Sequence, residues 1–87
     1  MNLTNKIEKV FNILEGCTYS IPAISWQTHI SNKEIKSILD NDIIEQVDNK
    51  FTINFNSYQY CSYRLVKISD KIYTISKRNK QFIVNKT

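Results

Sequence analysis

Hydrophobic positions change their spacing once along this chain, near Ile43. Before that point they recur at helical intervals, and after it they alternate. Ile7, Val10, Phe11 and Leu14 stand at i, i+3, i+4 and i+7, one face of an α-helix. Asn5 with Glu8 three residues on is a start signal. Gly16, the only glycine, stands where a left-handed C-terminal cap is wanted. A first helix is therefore predicted over about residues 5–15. Ser20-Ile21-Pro22 restarts a helix: the serine can cap, proline is tolerated in the first turn, and Tyr19 can staple onto Ile24. This second helix runs over about residues 21–28, with Ile21 and Ile24 on its buried face and Ala23 and Trp26 on an adjacent stripe. A lone tryptophan on a helix of so small a protein is expected in the core.

The stretch from Ile30 to Ile44 carries the sharpest signals. Ser31 followed by Glu34 is a capping box: the hydroxyl accepts from the Glu34 N–H while the Glu34 carboxylate reaches back to the Ser31 N–H. Ile30 before the cap and Ile35 after it can pack as a hydrophobic staple. Ile35, Ile38 and Leu39 form a narrow apolar stripe, leaving Lys33, Lys36, Ser37 and Asp40 facing away. Only Thr28, His29 and Ile30 separate this third helix from the second, so the pair reads as a helix-turn-helix. Asn41 and Asp42 weaken the helix, and Ile43 to Asp48 reads as a strand. Phe51, Ile53 and Phe55 then alternate with polar residues. Asp48-Asn49 suits a two-residue hairpin turn, because both residues tolerate positive φ.

Beyond the hairpin the chain stays strand-like. Tyr58 to Ile68 and Lys71 to Lys77 flank a tight turn at Ser69-Asp70, and Arg78-Asn79-Lys80 makes another before Gln81 to Asn85. These segments predict an antiparallel β-meander packed on the hairpin sheet or continuing it. Ile7, Phe11, Leu14, Ile24, Ile35, Ile38, Leu39, Ile44 and Phe51 are the expected core.

Eighty-seven residues suit one domain over 1–87, since a split would leave two pieces too small to bury a core. No run approaches the roughly 18 apolar residues of a membrane span, and M-N-L-T-N-K lacks the apolar centre of a signal peptide. An intracellular, cytoplasmic location off the membrane is expected. Cys17 and Cys61 stand far apart with a single histidine, so no metal site is expected and the thiols are expected buried or half-buried. The net charge of +4 hides an asymmetry: residues 1–45 hold four basic and six acidic side chains, residues 46–87 eight basic and two acidic. A basic half beside a mildly acidic one suits a partner bearing phosphate, or an acidic protein. Heavy use of Asn, Ile and Lys, all with A/T-rich codons, points to an AT-rich genome.

The stretch H-I-S-N-K-E-I-K-S-I-L-D-N-D-I-I-E-Q-V-D-N-K-F-T-I resembles the third helix and wing of the winged-helix DNA-binding superfamily. There a capped serine opens the recognition helix, aliphatics follow, and an I-I strand leads into the wing. The resemblance spans about residues 4–56. The chain departs from the pattern in a shorter third helix and in Asp42, where a glycine is usual. Residues 57–87 stand outside the common core as a β extension. The resemblance implies an α+β fold: a winged helix-turn-helix with three N-terminal helices, a β-wing and the C-terminal meander. It also implies a transcriptional regulator, from a phage, virus, mobile element or host, that binds double-stranded DNA and could do so as a homodimer. Helix three would enter the major groove, with Asn32, Lys33, Lys36 and Ser37 reaching bases or phosphates. Lys50 at the wing tip would reach a flanking phosphate or the minor groove, and Thr28 and His29 the backbone.

A second constellation interleaves tyrosines with cations: Tyr58, Tyr60, Tyr63, Arg64, Lys67, Lys71, Tyr73, Lys77, Arg78 and Lys80. Tyr58, Tyr60, Tyr63, Arg64, Lys67, Tyr73 and Arg78 are the anchors of an alternative, a phage-type inhibitor or adaptor that grips an acidic protein through its C-terminal sheet. RNA or single-stranded DNA on the same tyrosines is a third alternative. Tyrosine is also simply a good strand former. No nucleophile, metalloprotease, P-loop or dinucleotide motif is present, so no catalytic residue, cofactor or enzymatic activity is expected.

Overall fold

The computed structural model describes residues 2–55 and 63–87. In chain order the elements are α1 (Leu3–Leu14), β1 (Tyr19–Ser20), α2 (Ile21–Thr28), α3 (Asn32–Leu39), β2 (Ile44–Val47), β3 (Lys50–Ile53), β4 (Tyr63–Ile68), β5 (Lys71–Arg78) and β6 (Gln81–Lys86). The fold is α+β, with three helices and two three-stranded antiparallel sheets ordered β1-β3-β2 and β4-β5-β6.

α1 begins earlier than the Asn5 signal suggests, because the Asn2 side chain already accepts from the Asn5 N–H at 2.8 Å. Its predicted face is buried, and the chain leaves through Gly16 at φ 69°. Tyr19 and Ser20, expected only as staple and cap, also form a short strand paired with Phe51 and Lys50. Ser20 then caps α2 through the Ala23 N–H.

The α2–α3 turn is stitched by side chains. His29 takes a left-handed conformation at φ 60° and its N–H bonds the Ser25 carbonyl. Thr28 is fully buried: its hydroxyl donates to the Ile24 carbonyl at 2.7 Å and accepts the Ile30 N–H at 3.3 Å. Ser25 Oγ donates to the Ile30 carbonyl at 2.6 Å. Ile24 and Thr28 mark the buried edge of α2, and Trp26 lies two residues from each, about 160° round the helix from both. Trp26 is accordingly 83% exposed, against the expectation of a core position.

α3 starts as predicted at Ser31, whose hydroxyl accepts the Glu34 N–H. The reciprocal half of the capping box is absent: the Glu34 carboxylate pairs with Lys6 Nζ on α1. An ion pair between helices has displaced a local bond to the backbone. Asn41 ends α3, donating to the Ile38 carbonyl and accepting the Ile43 N–H. The β2–β3 hairpin closes on Asp48-Asn49 with positive φ at Asp48.

The C-terminal meander forms a second sheet rather than an extension of the first. Its inner face, Val66, Ile68, Tyr73, Ile75, Phe82 and Val84, joins the buried residues of the helices in one hydrophobic cluster. Most of the expected core is buried there, with Ile44 and Phe51 half-buried at its margin. α1 covers the β6 edge: Asn12 Oδ1 accepts the Phe82 N–H at 2.6 Å and a Glu8 oxygen accepts the Val84 N–H at 2.9 Å. A row of edge donors that would otherwise template aggregation is thus satisfied. The last turn is shorter than predicted: Asn79 and Lys80 alone take positive φ, and Arg78 pairs with Gln81 as strand.

Candidate functional site

The exposed face of α3 looks into an open groove of about 1020 Å³ walled on its far side by the β2–β3 hairpin. Its position follows from local sequence. The Ser31 cap and the Ile35/Ile38/Leu39 stripe rotate Lys33, Lys36, Ser37 and Asp40 outward. The hairpin contributes Gln46, Asn49 and Phe51, and the start of α2 contributes Ser20, Ile21 and Pro22. Lys33 and Lys36 are exposed and, among the described residues, no carboxylate lies within ion-pair distance of either. Ser37 Oγ meets Ser69 Oγ of the β4–β5 turn at 2.5 Å. Asp40 is the one carboxylate lining the groove among the described residues.

Of the seven residues the winged-helix resemblance implicates in DNA binding, the structure brings Lys33, Lys36 and Ser37 together in this groove. Asn32 is exposed at the first turn of α3 but does not line it. Lys50 pairs with Val47 and Ser20, which places it on the sheet face opposite Gln46 and Phe51. His29 is exposed in its left-handed turn. Thr28 must be withdrawn as a DNA-binding residue, since its hydroxyl is consumed inside the protein by Ile24 and Ile30. Gln46 and Asn49 join the groove without having been expected there. The alternation that places Phe51 on the core side also places its partner Gln46 there, so strand register carried the missing signal.

The tyrosine-cation constellation divides across the second sheet. Tyr58 and Tyr60 lie outside the described residues, as does Cys61. Tyr73 is buried in the core and is no partner anchor. Arg64 stands on the inner face, bonded to Asp42 at 2.8 Å after the end of α3. Tyr63, Leu65, Lys67, Ile72 and Arg78 share the outer face, where Tyr63, Leu65 and Ile72 are exposed apolar groups. Lys67 lies 3.9 Å from Asp70. Cys17 is exposed, against the expectation of a buried or half-buried thiol, because it follows Gly16 out of the helix.

Part of the charge asymmetry is satisfied within the molecule. Lys77 pairs with Glu15 at 2.6 Å and Arg64 with Asp42, so two of the C-terminal cations neutralise acids of the first half. Among the described residues, no three His, Cys, Asp or Glu side chains gather to hold a metal ion, and no helix is long and apolar enough to cross a membrane. No protein-family model, curated protein or solved structure matches this chain.

Proposed function

We propose that the chain is a winged helix-turn-helix domain that binds double-stranded DNA, acting as a small transcriptional regulator, with α3 in the major groove and the β2–β3 hairpin as its wing. The observation that carries this reading is the pair of unneutralised lysines, Lys33 and Lys36, on a capped helix facing a groove bordered by a hairpin. The strand order β1-β3-β2, with β1 between the first two helices, supports it, as does the short left-handed turn joining α2 to α3. Lysines in such a place release counterions from phosphates, and Ser37, Gln46 and Asn49 supply donors and acceptors for base edges or backbone. Asp40 suits a cytosine amino group better than a phosphate, which it would repel.

The test is duplex retardation at two salt concentrations. Lys33→Ala and Lys36→Ala should each weaken binding and reduce the salt slope by about 0.9 for every phosphate no longer neutralised. Absent or salt-independent binding of the wild type counts against the reading. A second reading, an acidic protein partner, is supported by the outer face of the C-terminal sheet. Exposed Tyr63, Leu65 and Ile72 lie there between Lys67 and Arg78, and among the described residues Asp70, in the turn beside Lys67, is the one carboxylate near that face. Charge complementarity therefore favours an acid-rich protein over a second copy of this face.

A further inference from the structure

The β4–β5 turn belongs to the same surface as α3, a placement with a consequence for the duplex-binding reading. Ser69, the first residue of that turn, touches Ser37 on the exposed face of α3. Ser37 itself lines the groove with Lys33 and Lys36, and the hairpin residues Gln46 and Phe51 line the same groove. The groove is thus bordered by the β2–β3 hairpin and, where Ser37 meets Ser69, by the β4–β5 turn. Directly paired residues of antiparallel strands project to the same face. Lys71 pairs with Ile68, and Ile68 is fully buried on the helix side of the sheet. Lys71 therefore projects to the side of α3, beyond the end of the core. It is exposed, and among the described residues no carboxylate lies within ion-pair distance of it. Lys67, one position before Ile68, projects to the opposite face and lies near Asp70.

We propose that the β4–β5 turn forms a second basic flank of the interface, with Lys71 meeting the DNA backbone beside α3. The scale fits. A helix with its side chains is about 10–12 Å across and the major groove about 12 Å wide, so a helix seated there puts the elements beside it against the groove walls. Those walls are phosphate. The C-terminal sheet then has two tasks, covering α1 and gripping the duplex. This rests on the duplex-binding reading of α3 and extends its footprint to a residue from the other half of the chain.

The experiment compares wild type, Lys36→Ala, Lys71→Ala, Lys80→Ala and Asp70→Asn on a short mixed-sequence duplex at about 50 and 200 mM salt. Lys80 serves as the control, since its turn lies at the other end of β5. Lys71→Ala should weaken binding, and its deficit relative to wild type should be about 3–4-fold larger at the lower salt, the effect of leaving one phosphate unneutralised. Lys80→Ala should track the wild type, and Asp70→Asn should bind more tightly. If Lys71→Ala matches Lys80→Ala while Lys36→Ala loses affinity, the second flank is refuted and the α3 reading stands. If the wild type shows no salt-dependent binding, both fall.

Discussion

Phe82→Ala tests whether the C-terminal sheet is an appendage or part of the structure that holds the helices. Phe82 is buried on β6, edge-to-face with Phe11 of α1 at 5.9 Å between ring centroids and with Phe55 after the hairpin at 5.5 Å. Lys77 Nζ lies 5.4 Å from the same ring, and the Phe82 N–H is held by Asn12. One side chain thus joins α1, the end of the first sheet and the second sheet. Truncating a buried phenylalanine costs about 3–5 kcal/mol. The whole stability of a protein this size is about 4–13 kcal/mol. At about 4–8 °C per kcal/mol, the melting temperature should fall by at least about 12 °C. Circular dichroism measures it, the far-ultraviolet signal following the helices and the near-ultraviolet signal following buried Tyr73. The two signals should move together, as expected of one cooperative unit. A loss of only a few degrees, or helices that melt separately from the Tyr73 signal, would show that residues 2–55 stand alone and refute the argument.

Two further outcomes follow from the α2–α3 region. Thr28→Val keeps the shape but strands the buried Ile30 N–H, and should cost about 1–3 kcal/mol in chemical denaturation. An unchanged midpoint would mean that the turn is not held by that hydroxyl. Trp26 should emit at long wavelength and be quenched by acrylamide in the native protein as readily as in the unfolded chain. A blue-shifted, protected emission in the absence of any partner would show that α2 is turned the other way.

How far each element was legible depended on whether its signal was local. The start of α3 was readable because a serine hydroxyl, a backbone N–H and an apolar stripe all lie within nine residues. The use of Glu34 was not, because Lys6 competes for its carboxylate from 28 positions away. In the candidate site, helical spacing alone locates Lys33 and Lys36. It could not locate Lys50, because the side of the hairpin that Lys50 takes depends on the Val47–Lys50 register. Gln46 was hidden for the same reason.

By itself, then, the sequence determined the periodicities, the caps and the turns, and with them three helices followed by antiparallel strands. These depend on neighbours within a few residues, where spacing alone decides which groups meet. Tertiary structure decided which face of the strands in the second sheet is buried. An alternating strand offers two faces, and only the packing of the second sheet on the helices placed Tyr73 inside and Tyr63 outside. It decided too which charges stay unpaired, since Lys77 finds Glu15 and Arg64 finds Asp42 only once the halves meet. The cations left over, Lys33, Lys36 and Lys71 among them, are the ones a phosphate backbone could use, and composition could count them but not locate them.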